Sequence, residues 1–69
     1  MSGRITVNGE ARDYGGETLC EIVAAAGIDP ARKGVAVAVN GAVAPRASWA
    51  TARLAAGDAV EIVQAKAGG

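Results

Sequence analysis

Val35-Ala36-Val37-Ala38-Val39-Asn40-Gly41 is the stretch that decides the fold. Valine and alanine alternate over five residues, the period of an extended strand, and Asn-Gly tolerates positive φ at both central positions of a type I′ hairpin turn. Residue size separates the two faces. The valines are placed to pack under a helix, while the alanines leave the opposite face low and flat. Beyond the turn, Pro45 suits either a short strand at a sheet edge or the first turn of a short helix around Trp49.

Working toward the N-terminus, Asp29 to Gly34 is a polar connection, preceded by a helical pattern. Thr18-Leu19-Cys20-Glu21 fits a capping box, in which the Thr18 hydroxyl and the Glu21 carboxylate each satisfy a backbone donor at the helix start. Leu19, Ile22, Val23 and Ala26 fall on one stripe, and Gly27 is placed for the left-handed position after the helix. Ile5-Thr6-Val7, the turn pair Asn8-Gly9 and a second strand from about Ala11 to Tyr14 make another hairpin, which Gly15-Gly16 ends. Toward the C-terminus, Gly57-Asp58 turns the chain into a last strand ending near Gln64, with Val60 and Ile62 on one face and Ala59, Glu61 and Val63 on the other. The expected architecture is α+β: four or five strands in one layer, with one main helix across one face. Residues 1–64 form the domain, and residues 65–69 form a flexible tail ending in Gly-Gly.

Composition narrows the function classes. The chain has 69 residues, seven basic and seven acidic side chains, and a hydrophobic fraction of 51%, of which 17 residues are alanine. Such a domain has room for one thin core and little for an enclosed cleft. With no histidine, a histidine base or metal ligand is excluded, and a single cysteine, Cys20, forms neither an internal disulfide nor a zinc cluster. That cysteine usage and the lack of an apolar leader point to the cytoplasm. Apolar runs of five residues fall far short of a membrane span, and zero net charge with one Trp and one Tyr does not suit nucleic acid.

Inside the domain the candidate sites are weak. Gly15-Gly16-Glu17-Thr18 before a helix resembles a phosphate-binding turn but lacks the spacing and the lysine of a P-loop. Cys20 lies in the first helical turn, off the apolar stripe, and reads as a filler at the helix edge with no neighbouring base. The carboxylates are scattered, and Trp49 reads as core or edge packing. The tail differs. Gly68 and Gly69 carry no side chains, so they can thread a narrow channel, and a terminal carboxylate becomes an acyl electrophile once a partner enzyme converts it to a mixed anhydride with AMP. A bare Gly-Gly end serves equally as a simple flexible terminus.

The stretch from Val35 through Asn40-Gly41, Pro45-Arg46 and Trp49, then Leu54 through Gly57-Asp58 to Val63, and the final Gly68-Gly69 resemble the ThiS family, the sulfur carriers of thiamine biosynthesis. The Asn8-Gly9 hairpin and the Thr18-Leu19 helix start are similar too. The Gly-Asp turn and terminal Gly-Gly are shared with the small subunit of molybdopterin synthase, whereas Pro45-Arg46 with Trp49 is characteristic of the thiamine carrier. The resemblance implies a ubiquitin-like β-grasp, with a mixed sheet whose first and last strands pair in parallel at its centre. It implies a protein cosubstrate, not an enzyme, that binds no cofactor itself. A ThiF-like adenylating enzyme would use ATP, with Mg, to activate Gly69. Sulfur from a donor such as a cysteine desulfurase would convert the terminus to a thiocarboxylate, which a ThiG-like thiazole synthase would consume. Lys66, Ala67 and Gly68 would thread into the partner active sites, with Lys66-Ala67 standing where many relatives carry a bulkier aliphatic residue. Thr6, Ala36, Ala38 and Val63 share the sheet face away from the helix and form a candidate docking face, on which Ala38→Asp is expected to weaken adenylation without harm to the fold. The alternatives are the molybdopterin-synthase subunit and a ubiquitin-like modifier or binding module without sulfur chemistry.

Overall fold

A computed structural model describes residues 3–65. Alternation builds its strands: β1 (Gly3–Val7), β2 (Glu10–Tyr14), β3 (Val35–Val39), β4 (Ala42–Ala44) and β5 (Ala59–Gln64). They form a single five-stranded sheet in the order β2-β1-β5-β3-β4. β1 and β5 run parallel, and every other pairing is antiparallel, so the sheet is mixed with its first and last strands adjacent at the centre. Both Asn-Gly pairs turn as expected, with Asn8 at φ 52° and Asn40 at φ 51°. Asparagine enters this left-handed region at less cost than most residues.

The helix α1 (Leu19–Ala25) begins in the expected capping box. The Thr18 hydroxyl accepts the Glu21 N–H at 3.3 Å, and the Glu21 carboxylate accepts the Thr18 N–H at 2.8 Å. Its end corrects one expectation: Ala26 is exposed and does not extend the buried stripe. Ala26 is the C-cap, and the Gly27 N–H bonds the Ala24 carbonyl while the Ile28 N–H bonds the Val23 carbonyl, a Schellman closure. That reversal brings the larger Ile28 against the core.

Leu19, Ile22 and Val23 of α1 meet Ile5, Val35, Val37, Val60 and Ile62 of the sheet, with Tyr14 and Trp49 closing the two ends. At ~25 cal/mol per Å² of apolar surface removed from water, these side chains dominate the gain on folding. Pro45 resolves as the residue before a 3₁₀ turn (Arg46–Ser48), after β4 has ended at Ala44. The irregular chain that follows is clipped to the core by polar tips of aromatic rings. The Trp49 indole N–H donates to the Ala44 carbonyl at 2.9 Å; the Tyr14 hydroxyl donates to the Glu17 carbonyl at 2.7 Å and accepts the Leu54 N–H at 2.8 Å.

Candidate functional site

Register places the candidate face. β5 turns Val60 and Ile62 inward, so Glu61 and Val63 stand on the opposite side of the sheet. Val63 lies opposite Ala36, Glu61 opposite Ala38, and Ala38 is in turn opposite Val43 of β4. Ala36, Ala38 and Val63 therefore come together, as expected from the sequence. Thr6 shares the face but pairs with Ala59 at the other end of β5, about 13 Å along the strand from Val63. Val43, 77% exposed, is the most open large apolar side chain of the face, and with Val63 at 61% it bounds the patch. Sequence reasoning passed over Val43, although a two-residue Asn40-Gly41 turn fixes its pairing with Ala38. Glu61 was also overlooked as a neighbour of Ala38. An aspartate at position 38 would stand directly across from that carboxylate, and like charges in this arrangement destabilise a sheet, so Ala38→Asp is expected to cost the domain up to about 1 kcal/mol of stability.

The patch adjoins the place where the chain leaves the sheet. The Ala65 N–H donates to the Gly34 carbonyl at 2.8 Å. Gly34 has φ +84°, and a Cβ there would lie 3.3 Å from the Ala65 Cβ, so glycine both turns the loop and admits the departing strand. Lys66, Ala67, Gly68 and Gly69 lie outside the described residues.

The weaker candidates resolve into structure. The Glu17 carboxylate accepts the Gly15 N–H at 2.7 Å, occupying the turn where a phosphate reading needed a free donor. Hydrogen bonds from its own N–H and that of Gly15, with the nearby Arg12 guanidinium a lesser cause, hold the Glu17 carboxyl below its usual range. Cys20 is half-buried beside Trp49 in a shallow groove of about 420 Å³ shared with Pro30, Ala31, Arg46 and Ala50. Trp49 is 3% exposed and belongs to the core, with the Arg46 guanidinium 4.5 Å from its ring centroid. Among the described residues no three His, Cys, Asp or Glu side chains gather as metal ligands. Among the described residues the geometry is that of a presented strand end beside an exposed face, with no cleft of converging catalytic groups.

The family model described as the ThiS family matches residues 5–69. The chain belongs to the ThiS family. The crystal structure of thiamine biosynthesis protein ThiS from Geobacter metallireducens is similar to it at a TM-score of 0.74 and 29% identity, covering 96% of this chain and 99% of that one. Comparison with curated proteins gives no match. The ThiS-family fold is the ubiquitin-like β-grasp, here the five-stranded mixed sheet with one helix. Membership supports a sulfur-carrier role, rather than that of an enzyme, among partners in thiamine biosynthesis. No helix among the described residues is long and apolar enough to cross a membrane.

Proposed function

We propose that this ThiS-family chain carries sulfur on the carboxyl carbon of Gly69 for thiazole formation. A ThiF-like partner, using ATP with Mg, joins a Gly69 carboxylate oxygen to the α-phosphorus and expels pyrophosphate. The sulfane sulfur of a donor such as a cysteine desulfurase is released as sulfide by two thiols, which leave as a disulfide, and the sulfide then attacks the acyl carbon. The C–S bond forms, AMP leaves with the oxygen, and the terminus becomes a thiocarboxylate. A ThiG-like thiazole synthase takes the sulfur. The chain contributes no catalytic group to these steps. Its task is to present the tail, with Lys66, Ala67 and Gly68 threading the partner's channel while the outer face docks through Ala36, Ala38, Val43 and Val63, with Thr6 at its far edge.

The observation that carries this reading is that the family match runs through Gly69, on a chain whose β5 releases the tail at Ala65 beside an exposed apolar face. Alanine neighbours suit docking because they leave backbone and sheet surface within reach of a partner. The test is ATP–pyrophosphate isotope exchange with the adenylating enzyme. Exchange that depends on this chain and is lost when Gly69 is deleted is the expected result. Exchange that is absent, or that survives the deletion, contradicts it.

A further inference from the structure

The chain is neutral, yet its charge is unevenly placed. Arg32 and Lys33 are exposed on the loop that ends at Gly34, whose carbonyl holds Ala65. Among the described residues neither takes part in an ion pair. Arg46 adds a third cation. Its guanidinium donates to the carbonyls of Pro30, Arg32 and Val35, fastening the loop from beneath. Asp29, the one carboxylate on the loop, is turned back onto it and accepts the Ala31 N–H at 2.9 Å. Asp58 lies at the opposite end of β5, about 20 Å away. The positive surplus therefore sits where the tail leaves, and the rest of the neutral chain is net negative.

We propose that this tail-exit corner, with Arg32 and Lys33 beside Ala65, docks on an acidic rim around the mouth of the channel that receives the tail in the adenylating enzyme. The inference rests on the carrier reading above. Reach selects the occupant. Four residues follow Ala65 in the sequence, and drawn out fully they span at most about 14 Å. With Gly69 at the nucleotide, the corner stays at the channel mouth, and a lysine's four-carbon stem covers only about half of that distance. The cations therefore face protein carboxylates at the rim, not the triphosphate. A field concentrated at one corner also orients the carrier during approach, so that the tail arrives first.

The test compares two variants of equal net charge in adenylation by the partner enzyme. Arg32→Gln/Lys33→Gln removes two charges at the corner; Arg12→Gln/Arg53→Gln removes two charges elsewhere. At low ionic strength the corner variant should raise KM for the carrier roughly three- to tenfold with kcat unchanged, and this gap should close as salt is added. The other variant should change KM less than about twofold on the same scale. Thermal melting confirms that both fold, and Arg32→Lys/Lys33→Arg, which keeps both charges, should behave as the parent. Equal effects of the two neutralised variants overturn the inference, as does a loss in kcat alone. A rise in KM for ATP, with KM for the carrier unchanged, shows that the corner meets phosphate, and overturns it as well. If the parent chain is adenylated normally but without salt dependence, this inference alone fails; if it is not adenylated at all, the carrier reading fails and takes the inference with it.

Discussion

The Asn8 side-chain carbonyl accepts the Ile62 N–H at 2.8 Å across 54 residues of sequence, while the Asn8 N–H donates to the Val60 carbonyl at 2.8 Å. As β1 turns away after Val7, Asn8 continues the parallel ladder with its side chain in place of a backbone carbonyl. The turn residue thereby joins the first hairpin to the strand that leads to the tail. Asn8→Gly keeps the positive φ and removes only the acceptor, so it should cost about 1 kcal/mol, while Asn8→Asp, which retains an acceptor oxygen, should cost less. Urea midpoints measure both; equal midpoints for Asn8→Gly and the parent contradict the assignment.

Asn40 plays the matching part at the second hairpin. Its side-chain carbonyl accepts the Ala59 N–H at 2.9 Å, and its amide donates to Asp58 at 3.0 Å. The Ala55 N–H first, and the Asn40 amide second, favour the ionised Asp58 carboxylate and hold its pKa below the ordinary 3.8. A carboxyl depressed in the folded state adds stability that is complete above its unfolded value and is lost as pH falls through the folded one. The loss therefore falls below pH 3.8. Asn40→Gly should move the Asp58 midpoint up toward the ordinary value in a carbon-13 NMR titration. An unmoved midpoint contradicts the pairing.

Much of this was readable in the chain, because turn chemistry and period are local. The Asn-Gly turns, the Thr18/Glu21 box and the Val35–Val39 alternation each rest on neighbours in sequence, and each formed as expected. What sequence reasoning missed depends on bonds between distant residues or on competition for one place. Ala26 lost its place to Ile28 through the geometry of the helix end. Glu61 became a neighbour of Ala38 only through the pairing of β3 with β5. Arg46 belonged to the motif that carried the resemblance, but its use appears only in the fold, where one guanidinium reaches three carbonyls and stacks on Trp49.

That Arg46 arrangement needs a planar fork with several donors, which lysine does not supply. Arg46→Lys should therefore destabilise the domain by roughly 1–2 kcal/mol. Amide exchange through residues 31–35 should quicken in the variant. Unchanged exchange there would show that the loop is held by other means.

The outer face is tested at its exposed edges, where substitution spares the core. Val43→Ser/Val63→Ser should change stability by less than about 0.5 kcal/mol per site. The same variant should raise KM for the carrier in adenylation several-fold. An unchanged KM in a folded variant removes this face from the docking surface.

The central claim is that Gly69 is where sulfur is carried, and intact-protein mass spectrometry tests it most directly. The full chain is incubated with the adenylating enzyme, ATP and a sulfur donor. The predicted result is a gain equal to the replacement of one oxygen by sulfur, placed on Gly69 by fragmentation, absent without ATP or without Gly69, and unaffected by Cys20→Ser. A mass that stays unchanged, or sulfur found on Cys20 instead, would contradict the account.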